Sequence, residues 1–114
     1  MNVVRLVNAA GSTVVERCSV ADKPLSRMRG LLGRRSLPAG EGILLRPAGS
    51  VHMFFMRFAI DVVWLDRDLE VVGVTPHLRP WRAARHRGAR AALELPAGES
   101  ARAGVRPGDR LLAA

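Results

Sequence analysis

The chain has 114 residues, a formal net charge of +8, 48% hydrophobic and 25% charged residues, the profile of a single foldable domain over residues 1–114 and not of a disordered chain. Its one cysteine, Cys18, excludes an intramolecular disulfide and any zinc site built on cysteine pairs. No stretch approaches the roughly 18 apolar residues that span a bilayer, and the N-terminus lacks a secretory apolar core, so a cytoplasmic protein without a membrane partner is expected.

Val3 to Val7 and Thr13 to Cys18 are short runs rich in β-branched residues around a Gly-containing loop, which predicts an opening hairpin. From Asp22 the period changes: Leu25, Met28 and Leu32 recur at three and four residues, Pro24 suits a first turn and Gly33 a C-terminus, predicting one short amphipathic helix. Ile43 to Arg46 reads as a buried strand between two Pro-Ala-Gly turns. Ser50 to Asp66 is a run of 17 residues, about three times the usual strand, so it must break, and the break is expected near Met56 to Ala59. Ile60 to Leu65 then pairs with Leu69 to Thr75 across Asp66-Arg67-Asp68.

Arg79 to Arg90 has five arginines, Trp81 and His86 but no strand period, and reads as an exposed loop. Ala91 to Leu95 returns as a strand. Glu99 to Arg102 makes about one helical turn with its acid first and its base last, as the helix dipole favours, and Arg110 to Ala113 closes the chain as a strand. The expected fold is mainly β, a compact β-sandwich or barrel with one or two short helices.

Four segments carry a resemblance: RMRGLLGR at Arg27 to Arg34, GEGILL at Gly40 to Leu45, SVHMFFMRFAIDVVWLD at Ser50 to Asp66, and ELPAG from Glu94 with the later Gly104 and Gly108-Asp109. Together they resemble the bacterial and archaeal domain of unknown function family 192, also called uncharacterised protein family 0127. The resemblance implies a jelly-roll-like β fold and no assigned activity. The chain departs from the family pattern at Ala59, where proline is common, and in lacking the signal sequence many members carry.

Candidate site residues concentrate in Ser50 to Asp61. His52, Met56, Arg57 and Asp61, with Arg27 and Glu94 from other segments, are expected to line a pocket in which Arg57 grips an anionic group by bidentate hydrogen bonds. The competing structural reading pairs Arg57 with Asp61 across the break, or either with Glu94 or Arg27. A Cu(I) site from His52, Met53, Met56 and Cys18 suits soft-ligand chemistry, but residues four apart on a strand stand about 13 Å apart, so no metal and no cofactor are expected. The function expected is a small-ligand or peptide-binding accessory module, monomeric or weakly dimeric, with an unknown small anionic ligand or a protein as partner. Two alternatives stand beside it: an enzyme, hydrolase-like or transferase-like, with His52 as base, for which no clear nucleophile is found, and a polyanion binder acting through Arg79 to Arg90. The seventeen arginines against one lysine reflect a GC-rich genome better than phosphate recognition, so nucleic-acid binding is expected to be weak and nonspecific.

Overall fold

A computed structural model describes residues 2–23, 31 and 33–114. The helix expected between Asp22 and Gly33, and with it Arg27, falls largely outside the described residues. Nine strands are described: β1 (Asn2–Val7), β2 (Thr13–Ala21), β3 (Glu41–Leu45), β4 (Ser50–His52), β5 (Ile60–Leu65), β6 (Val71–Leu78), β7 (Ala83–Arg85), β8 (Ala91–Pro96) and β9 (Leu112–Ala113). A single short helix, α1 (Glu99–Arg102), follows β8 among the described residues. The fold is mainly β, as expected.

Seven strands form one curled sheet in the order β6-β5-β8-β3-β2-β1-β9, and β4 and β7 form a separate two-stranded ribbon. Every pairing is antiparallel except β2 with β3. The central strands β5 and β8 are almost continuously buried, because both faces of the sheet are covered. Alternation then sorts their side chains. Ile60, Val62, Trp64 and Ala92 face the layer that holds Val51, Met53 and Leu37. Val63, Leu65, Leu93 and Leu95 face the opposite layer with Leu6, Val15, Cys18 and Leu111.

The long apolar run breaks where its length demanded, though earlier and more widely than expected: β4 ends at His52 and β5 begins at Ile60. The β5–β6 hairpin forms, and Asp66 Oδ1 closes its turn by accepting the N–H groups of Asp68 and Glu70 at 2.8 and 2.9 Å. β6 runs past the expected Thr75 and through Pro76. It lies at the edge of the sheet, where a missing N–H costs no ladder bond. Ile60 pairs with Leu78 but Val62 pairs with Thr75, so β6 carries one extra residue, a bulge at Pro76 and His77.

The segment expected to be a loop, Arg79 to Arg90, contains β7. Three residues are too few to show a period of two, and tertiary contacts decide the strand. His86 packs over Trp64, ring centroids 6.3 Å apart, and fits only because residue 73 is glycine: a Cβ there would lie 2.8 Å from the imidazole. Backbone bonds from His86 N–H to Gly49 C=O and from Ala48 N–H to Arg90 C=O extend the ribbon's pairing, and the bond from Arg90 N–H to Leu65 C=O fastens it to β5.

Candidate binding site

The ribbon register sets Ser50 opposite Arg85, Val51 opposite Ala84 and His52 opposite Ala83. Val51 is buried in the core beneath, so the alternation turns Ser50, His52, Ala83 and Arg85 outward. They line a shallow groove of about 370 Å³ together with Val51 and Ala84. The two alanines leave the space, and the hydroxyl, imidazole and guanidinium supply its polar rim. A second hollow of about 240 Å³, lined by Gly49, Arg85, His86 and Arg87, adjoins it. Arg85 borders both hollows and makes no ion pair among the described residues. The arrangement suits an anionic group held by a planar guanidinium and a hydroxyl.

Two turns meet at one end of the groove. The N–H of Met53 donates to Arg82 C=O and the N–H of Trp81 to Met53 C=O, both at 2.7 Å, and Met56 N–H closes the first turn on Met53 C=O. Met53 and Met56 point into the core, while Phe54, Phe55 and Trp81 are 45%, 70% and 59% exposed. The rings touch one another: His52 to Phe54 at 4.9 Å, Phe54 to Trp81 at 6.2 Å and Phe55 to Trp81 at 4.8 Å between centroids.

Of the described residues among the site candidates named from sequence, only His52 lines the groove. Met56 is core. Arg57 is exposed and makes no ion pair with Asp61 or Glu94 among the described residues, so the expected Arg57–Asp61 pair does not form. Asp61 is fully buried on β5, and its side chain belongs to the face opposite the ribbon. Its Oδ1 accepts the His77 N–H at 3.0 Å, and Oδ2 accepts the N–H of Gly98 at 3.1 Å, the N–H of Ser100 at 3.0 Å and the Ser100 hydroxyl at 2.6 Å. The β6 bulge frees the His77 N–H from the ladder and aims it at this carboxylate. Burial alone would raise the carboxyl, but the hydrogen bonds from Ser100, His77 and Gly98 outweigh it and hold Asp61 below its ordinary range.

Glu94, opposite Val62 and Ile43, lies by alternation on the ribbon side of the sheet. It is buried, makes no ion pair among the described residues, and burial pushes its carboxyl up to about 7. Cys18 lies in the opposite layer, so the soft-metal set of His52, Met53, Met56 and Cys18 is dispersed over the outer surface and two cores. Among the described residues no three His, Cys, Asp or Glu side chains converge, and no helix is long and apolar enough to cross a membrane.

The sequence presents Ser50 to Asp61 and Arg79 to Arg90 as separate candidate segments and does not show that Ser50 and Arg85 meet, because their convergence depends on a six-residue ribbon joined across more than 30 positions of chain. The HMFF run was the visible signal. Two adjacent phenylalanines cannot both enter one core from a regular strand.

The family model described as uncharacterised ACR, domain of unknown function 192, matches residues 5–113. A UPF0127 protein of Pyrococcus furiosus is 39% identical over 97 residues, covering 80% of this chain and 81% of that protein. One from Thermococcus sibiricus is 36% identical over 93 residues, covering 77% of this chain and 60% of the relative's length. Both organisms are archaeal. Among solved structures, a protein from Sinorhizobium meliloti described as a candidate transcription regulator superposes with a TM-score of 0.83 at 29% identity, covering 97% of this chain and 92% of the other. A protein of unknown function from Novosphingobium aromaticivorans superposes with a TM-score of 0.84 at 24% identity, over 96% and 84% of the two chains, and shares the fold.

Proposed function

The chain belongs to the domain of unknown function family 192, and from its geometry we propose that it is a binding module that takes a carboxylate next to an apolar group, from a peptide end or a small organic acid. The observation that carries this reading is the outward convergence of Ser50, His52 and Arg85 on a groove floored by Val51 and Ala84. Arg85 supplies a paired fork for the carboxylate, Ser50 a further donor, and the alanines and the neighbouring aromatic rings accept the apolar part. Binding is favoured over catalysis because, among the described residues, no hydrogen bond joins the Ser50 hydroxyl to the His52 imidazole and no carboxylate orients that imidazole, whose ring packs on Phe54 instead.

Titration with N-acetylphenylalanine and, separately, its neutral amide tests the reading, followed by amide chemical-shift changes in the protein. The acid is expected to shift resonances of residues 50–52 and 83–87, and Arg85→Ala to weaken it by about tenfold or more, the worth of a charged hydrogen-bond pair. Equal responses to acid and amide, or shifts located elsewhere, would reject the groove as a carboxylate site.

A further inference from the structure

Phe54, Phe55 and Trp81 form an apolar tip whose rings touch one another and stay exposed. Phe55 and Trp81 occupy left-handed backbone, with φ of 65° and 69°, a conformation that disfavours bulky side chains. Glycine or asparagine would hold the same two turns with less strain. Instead, both strained corners carry the largest exposed rings in the molecule.

The charge around this tip is one-sided. Segments 42–60 and 71–93, which build the ribbon, the tip and adjacent strands, contain seven arginines and none of the ten acidic residues. Arg57, Arg79 and Arg82 flank the rings directly in sequence, are exposed, and make no ion pair among the described residues. We propose that this tip is a peripheral docking surface for an anionic phospholipid bilayer, in which Phe54, Phe55 and Trp81 enter the headgroup boundary and Arg57, Arg79 and Arg82 contact lipid phosphates. The absence of a spanning segment, which suggested no membrane partner, does not bear on surface docking.

The ring geometry favours a bilayer over the other occupants. Single-stranded nucleic acid stacks on open ring faces, whereas here Phe54 and Phe55 both pack on Trp81, at interplanar angles of 29° and 59°. A second copy of the chain would bring the same arginines against each other, a like-charge contact that opposes association. An interfacial site, by contrast, needs aromatic rings at the headgroup level and cations beside them.

Co-sedimentation with phosphatidylglycerol–phosphatidylcholine vesicles, against phosphatidylcholine vesicles alone, tests the proposal. Tryptophan emission supplies a second readout, because Trp64 is buried and Trp81 exposed. Binding that requires phosphatidylglycerol, weakens with salt and shifts the Trp81 emission to the blue is expected. Removing the charges with Arg57→Gln, Arg79→Gln and Arg82→Gln should weaken it by roughly fivefold per arginine. Phe55→Gly and Trp81→Gly should abolish vesicle binding while leaving the melting temperature equal or higher, since glycine relaxes both corners. That combination separates a docking role from a structural one. No phosphatidylglycerol-dependent binding at low salt, or binding unchanged by the two glycine substitutions, would overturn the proposal. So would displacement of vesicles by an equal concentration of oligothymidylate, or self-association that Trp81→Gly dissolves.

Discussion

Asp61 and Glu94 are buried carboxyls on neighbouring strands of the same sheet, and they are treated in opposite ways. Asp61 accepts four hydrogen bonds from three residues and is held ionised. Glu94 sits among apolar side chains with no ion pair among the described residues, and its carboxyl is raised to about 7. Burial is common to both. The difference lies in the backbone around them: a bulge in β6 and the turn before α1 aim unpaired N–H groups at Asp61, whereas the ladder on either side of Glu94 is regular and spends its N–H groups on neighbouring strands. A buried acid therefore reports on local backbone irregularity before it reports on function.

The comparison breaks first at Asp61. Asp61→Ala leaves the His77, Gly98 and Ser100 donors unsatisfied in a buried site, and should destabilise the domain by on the order of 4 kcal/mol in chemical denaturation. A loss below about 1 kcal/mol would mean that water replaces the carboxylate and that the cluster is not structural. Wild-type Asp61, with its carboxyl held low when folded, contributes stability that is present above the ordinary carboxylate range and disappears as pH falls through the depressed value.

Glu94 carries the opposite sign. Its folded value of about 7 lies above the ordinary 4.5, so between these the folded chain binds more protons than the unfolded one. Its contribution is complete below about pH 4.5 and is lost as pH rises through 7, by on the order of 3 kcal/mol in total. Glu94→Gln cannot ionise, and subtracting its stability from that of the wild type across this range isolates the change. A flat difference would show that the wild-type carboxyl ionises at no cost, and would end the contrast with Asp61.

The smallest effect comes from Ser100→Ala. It removes the 2.6 Å hydroxyl bond to Asp61 Oδ2 while sparing the three backbone donors, and should cost about 1–2 kcal/mol. The same variant should raise the Asp61 titration toward its usual range, read by carboxyl carbon chemical shifts. An unchanged titration would assign the low value to the backbone donors alone.

Strands β1, β2, β3, β5, β8 and the β5–β6 hairpin were legible in the sequence because runs of β-branched residues and turn residues encode them over a few neighbouring positions. The turn at Glu99 to Arg102 and the family resemblance were legible for the same local reason. The candidate site was not. His52, which lines the groove, stands out in sequence as part of a dense polar cluster in an apolar run, whereas proximity along the chain suggests a pairing of Arg57 with Asp61 that the structure does not form.

What the sequence determined by itself was the mainly β class, the break in the long apolar run and the excess of arginine over acid. Only the tertiary structure decided that Asp61 finds its partners 16 to 39 residues away, and that Asp61 and Glu94 face opposite layers. It also decided that Arg85 meets Ser50 across a ribbon and that Phe54, Phe55 and Trp81 stay outside the core. Strand periodicity is written in adjacent residues, but the face a side chain takes and the donor it meets depend on register and bulges set by distant strands.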